Sequence, residues 1–137
     1  MAERVDLTAR WATALLVAAA GAIHLYLWFD YFHRVHVVGV LFLVNACSGL
    51  AIGAVLLVRR NVLAVLAAGG YSVGTLAGFV VSTRWGLFGY RETFWGSWQE
   101  AAGGVELAAA FLAGLLLVLG VRRRRQGSPA PSERWAS

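Results

Sequence analysis

The sequence predicts an all-α protein, an integral membrane bundle of four antiparallel helices with both termini on the cytoplasmic side. Three observations carry that expectation. The 137 residues are 59% hydrophobic and only 14% charged, where a soluble domain is nearer half apolar and a quarter charged. The apolar residues gather into four runs, each close to the ~20 residues that carry a helix across ~30 Å of hydrocarbon. Arginines punctuate those runs with a strong bias to one side.

The first run, Trp11 to Phe29, predicts a helix over about 11–29, with His24 as its one ionisable residue. Arg4 and Arg10 followed by Ala18-Ala-Ala-Gly-Ala22 also suit a secretory signal peptide. The run continues through Ile23 to Phe29, past any small-residue cleavage site, so a retained helix is expected. The second run covers 37–58 and is stopped by Arg59-Arg60. The third covers 62–81 and is stopped by Arg84. The fourth covers 101–121 and is stopped by the arginines 122 to 125. None carries the polar stripe that a soluble core helix shows at every third or fourth position. Residues 1–125 therefore read as one transmembrane domain, and 126–137 as a disordered cytoplasmic tail.

All twelve basic residues are arginine, and nine of them flank one side of the proposed spans. Only Arg34, Arg84 and Arg91 flank the other, so the arginine-rich side is expected inside. The run from Arg122 to Arg125 reads as a topology anchor, with contact to anionic lipid as the alternative. Positive charge split in this way argues against a nucleic-acid partner. The lone Cys47 excludes an internal disulfide and CxxC chemistry, and reads as a small buried apolar residue.

Packing signals follow the helices. Gly49 and Gly53 make one GxxxG on the second helix, and Gly70, Gly74 and Gly78 make two on the third. Small residues at that spacing let backbones approach in lipid. The same faces suit a homo-oligomer or a larger membrane complex equally well.

The chemistry concentrates at His24-Leu-Tyr-Leu-Trp28-Phe-Asp30-Tyr-Phe-His33-Arg-Val-His36, which joins two runs and holds all three histidines. His24 lies five residues inside one end of its helix, and Glu106 lies five residues inside the same end of the fourth. Both are thus expected roughly 7.5 Å below the outer boundary. Ionisable residues in a membrane face the bundle interior and pair. Trp28, Asn45 and Tyr71 extend this pair into a candidate cofactor site. His24, His33, His36 and Glu106 form the candidate metal set. The plainer readings stay open beside these. His24 and Glu106 make a satisfied interhelical bond, Asn45 bonds across helices, and His33, His36 and Asp30 belong to a solvated loop. The third connection, from Arg84 to Glu100, is rich in Trp, Phe and Tyr. It suits an interfacial belt, or a lid over a pocket for a flat ligand.

Several classes are excluded. P-loops, nucleophile elbows and kinase motifs are absent, and only one histidine is buried enough for haem ligation.

The stretches Gly21-Ala-Ile-His24-Leu-Tyr-Leu, Val38-Gly-Val-Leu-Phe-Leu-Val-Asn45-Ala and Gly86-Leu-Phe-Gly-Tyr-Arg-Glu92 carry a resemblance. They resemble those of uncharacterised small four-helix membrane proteins from GC-rich bacteria, and more distantly the DoxX type. The resemblance implies a multi-pass protein of the bacterial cytoplasmic membrane, and for the DoxX type an association with oxidoreductases. It transfers no catalytic residue. The expected function is a small accessory or redox-associated protein with a metal ion or quinone-like ligand at His24 and Glu106. A structural or interaction subunit without ligand is the alternative, and a dimeric transporter a third.

Overall fold

The computed structural model describes residues 2–93 and 96–126, with side chains from Asp6 onward. Four helices fill it: α1 (Ala2–Asp30), α2 (His36–Val58), α3 (Val62–Arg84) and α4 (Ser97–Gln126). A single 3₁₀ turn, Phe32–Arg34, links α1 to α2. All four helices are long and apolar enough to cross a membrane. α1 and α4 extend furthest beyond their apolar runs, because Ala, Glu and Arg are good helix formers outside the apolar stretch. The apolar run marks the greasy part of a helix, not its ends. The fourth thus runs through its arginines to Gln126, where cations suit a helix C-terminus. The rest of the expected tail, 127–137, lies outside the described residues.

The core is made of small residues. Ala14, Val17, Ala20, Ala68, Ala109 and Ala113 are fully buried, and Thr13 and Ser72 join them. Leu27, Phe32, Leu56 and Leu116 are buried among them, but many large aliphatic and aromatic side chains point outward: Val40 is 62%, Leu63 69% and Phe111 72% exposed. Only 22% of the apolar window of α2 is buried inside the molecule. This inverts the pattern of a water-soluble protein, which hides its large apolar groups. Cys47 follows the outward pattern and is exposed, not buried as its apolar neighbours suggested.

α1 packs most extensively on α2 and then on α4, α3 packs on α4, and α2 meets α3 sparsely. Glycine explains the α1–α2 seam. A Cβ on Gly21 would stand 2.9 Å from the Ala46 carbonyl oxygen, and one on Gly49 the same distance from the Gly21 Cα. Gly53 is held likewise against the Ala14 carbonyl. The glycine pair of α2 is thus a true contact. The series on α3 is not one: Cβ atoms on Gly70, Gly74 and Gly78 would meet nothing within 4 Å. At Gly74 and Gly78 the missing side chains leave room for a cavity.

Two connections fix the helix ends. Asn61 caps α3, its Oδ1 accepting from the Ala64 amide at 2.8 Å. The Arg10 guanidinium reaches across from α1 and donates to the Arg59 carbonyl at the end of α2. At the other end, Leu87 and Tyr90 exchange backbone hydrogen bonds of 2.6 and 3.0 Å around Phe88 and Gly89. Both central residues have positive φ, 51° and 79°, as a primed turn requires.

Candidate functional site

A cavity of about 270 Å³ opens among the ends of all four helices, beneath the α3–α4 connection. Leu27, Phe32, Leu41, Phe42 and Phe79 make its walls largely apolar, and Leu87 and Tyr90 reach it from the connection. Its polar groups are few: His24, Asn45, Thr75, Ser82, Glu92, Gln99 and Glu106, besides the Tyr90 hydroxyl. Thr75 and Ser82 are seven residues apart on α3, and Gln99 and Glu106 seven apart on α4. Seven residues are about two turns, so each pair lines one helix face over roughly 10 Å of depth.

His24 and Glu106 meet at the inner end. His24 Nε2 lies 3.8 Å from Glu106 Oε1, with side chains 10% and 4% exposed. The opposite nitrogen, Nδ1, is 2.8 Å from the Ala20 carbonyl oxygen. A carbonyl can only accept, so Nδ1 carries a hydrogen and Nε2 is left to face the carboxylate. The separation is too long for a hydrogen bond, and Glu106 Oε1 is buried without a hydrogen-bond partner. Thr75 stands beside the carboxylate. Its hydroxyl donates to the Tyr71 and Ser72 carbonyls at 3.0 Å each.

An aromatic column closes one side of the cavity. Phe42 lies 5.2 Å from the His24 ring and stacks on Phe32 at 3.8 Å between centroids. Tyr90 meets Phe32 edge-on, at 5.6 Å. The Tyr90 hydroxyl donates to Glu92 Oε2 at 3.2 Å. Burial, and then the neighbouring Glu92 charge, pushes the Tyr90 hydroxyl well above its ordinary range. It stays a donor at neutral pH.

The candidate cofactor residues divide. His24, Asn45 and Glu106 line the cavity, whereas Trp28 and Tyr71 do not. At 3.6 residues per turn Trp28 is rotated about 40° from His24, and the cavity lies on the Leu27 side. Its ring packs instead on Phe29 and His33. The Tyr71 hydroxyl is buried against Gly49, with no hydrogen-bond partner.

The candidate metal set does not assemble. His33 Nδ1 donates to the Trp28 carbonyl at 3.0 Å, and its Nε2 accepts from Arg34 Nε at 3.2 Å. Both ring nitrogens are occupied and solvent-exposed, and His36 is exposed at the start of α2. Among the described residues no three His, Cys, Asp or Glu side chains come together to hold a metal ion.

Thr75, Ser82, Gln99 and the aromatic pair Phe32 and Phe42 are lining residues that sequence reasoning missed. The seven-residue spacing of polar groups on α3 and α4 is the signal that finds Thr75, Ser82 and Gln99.

No family model, no curated protein and no solved structure matches this chain.

Proposed function

We propose that this chain is a four-pass protein of the bacterial cytoplasmic membrane with both termini inside. In that frame its His24–Glu106 cavity lies in the outer leaflet and binds a flat, quinone-like molecule in the service of a redox system. The observation that carries the reading is the buried, unpartnered Glu106 oxygen beside His24 Nε2, at the inner end of an otherwise apolar cavity. A ligand pocket combines apolar walls with a few convergent polar groups in this way. The volume, about 270 Å³, falls just below the range for drug-sized ligands, so it suits a ring-sized head with its tail among the helices. The outward-facing Val, Leu and Phe support membrane insertion, since such a surface in water invites aggregation.

His24 and Glu106 hold and move a proton at Nε2 and Oε1, next to a carbonyl or hydroxyl oxygen of the ligand. Phe42 and Phe32 orient its ring. A bound quinone supplies the electron chemistry. The DoxX resemblance supports the redox half of the proposal, and the uncollected histidines turn it away from a metal ion. Interhelical glue alone fits less well, because polar glue is hydrogen-bonded and this pair stands at 3.8 Å.

The test is equilibrium dialysis of the purified, detergent-solubilised protein against a short-chain quinone. Saturable binding is expected in the parent chain and none in the folded His24→Leu/Glu106→Leu double variant. Undiminished binding in that variant would remove the site.

A further inference from the structure

A second cavity, also of about 270 Å³, lies at the opposite end of the bundle. Arg10 lines it, fourteen residues before His24 on α1, which is roughly 21 Å along the axis. Three parts of the chain converge there. α1 gives Asp6 and Arg10, the α2–α3 connection gives Arg60 and Asn61, and α4 gives Arg123 and Arg124. Four guanidinium groups therefore stand against one carboxylate, and that carboxylate is 3.5 Å from Arg123.

The hollow is more than a ring of solvated charge. Arg10 is 9% exposed, and its bond to the Arg59 carbonyl pins the guanidinium where it borders the cavity. The Asn61 oxygen is taken by the Ala64 amide, so the amide nitrogen is the group left to donate. Beneath these donors Val65 and Leu116 form a buried aliphatic floor. Arg122 and Arg125, on the same helix, do not line the cavity.

We propose that this cavity binds a phosphate-bearing anion, held by Arg10, Arg60 and Arg124 above the aliphatic floor. Guanidinium forks match phosphate oxygens in pairs, and such charge-assisted bonds are the strong ones. A phospholipid headgroup and a free phosphate share this chemistry, and the floor favours the molecule with acyl chains. The proposal is independent of any ligand in the His24 cavity.

Native mass spectrometry of the full chain in neutral detergent, with phosphatidylglycerol or phosphatidylcholine added, reads the bound lipid directly. Melting curves with inorganic phosphate cover the free anion. The Arg60→Gln/Arg124→Gln variant is expected to bind at least roughly tenfold more weakly, as the loss of charge-assisted bonds implies. The Arg122→Gln/Arg125→Gln variant removes the same charge from outside the cavity and should bind within about twofold of the parent. Both variants keep Arg10 and its bond to the Arg59 carbonyl, and circular dichroism confirms that they fold. Millimolar phosphate that displaces the lipid assigns the site to the free anion, and lipid binding indifferent to phosphate assigns it to a headgroup. Equal losses in the two variants would overturn the proposal, because only net charge would then matter. The absence of any lipid adduct together with an unmoved melting point would do the same.

Discussion

His24 Nε2 and Glu106 Oε1 face each other across 3.8 Å; the histidine is also held through Nδ1 by the Ala20 carbonyl, whereas Oε1 has no hydrogen-bond partner. The two members of the pair are therefore unequal. Replacing His24 by Leu strands a buried carboxyl, at a cost of about 1–3 kcal/mol. Replacing Glu106 by Leu removes an oxygen that already lacks a partner, together with the carboxyl's contact with Thr75, so that variant is expected to lose less than His24→Leu. The double variant should recover most of the His24→Leu loss. Chemical unfolding in detergent measures all three. Equal and additive losses would show that the two residues do not interact.

Glycines at one spacing are expected to behave in opposite ways. Gly49→Leu drives a side chain into the Gly21 backbone and the Tyr71 hydroxyl, an overpacking worth about 1–3 kcal/mol. Gly74→Leu meets open space and should leave the melting point nearly unchanged, while filling the cavity it lines. Quinone binding by the Gly74 variant should fall away. A stable Gly74→Leu protein with full binding would place the ligand elsewhere.

Orientation is open to cysteine labelling. Cysteines placed at Arg34 and Arg91 are expected to react from outside, and one at Ser128, which lies outside the described residues, only after permeabilisation. The native Cys47 is exposed and must first become Ser. Outside labelling at Ser128 would reverse the topology drawn from the nine-to-three arginine split.

Phe88 carries the one positive φ among the described non-glycine residues. That backbone costs an ordinary side chain about 1–2 kcal/mol, and Asn tolerates it better. Phe88→Asn creates the Asn-Gly pair that primed turns prefer, and should raise the melting point in detergent. A lowered melting point would mean that the exposed Phe88 ring contributes more than the turn.

Much of this was readable from residues alone, and the boundary between what was and was not is physical. An ionisable residue inside an apolar run is conspicuous, so His24 and Glu106 stood out, and helix arithmetic put them at one depth. Helix rotation was harder. Trp28 is one turn from His24 but just off the cavity, and a rotation of about 40° is finer than spacing resolves. Gly74 and Gly78 carried a contact signature and proved to border empty space, because a glycine permits close approach without requiring it. Thr75 and Ser82 were quiet because a hydroxyl in a helix readily bonds its own backbone, as Thr75 does.

The unequal packing of the helices would set the route of a ligand to the proposed site. α1 is locked to α2 through backbone contacts at Gly21 and Gly49, while α2 and α3 meet sparsely. Val44 and Leu76, one on each of those two helices, line the cavity beside that thin wall. Its other boundary is the connection that carries Tyr90. If the chain spans a bilayer as proposed, a greasy solute would have a side door there, parting two helices from within the oil layer without passing through water to reach Glu106.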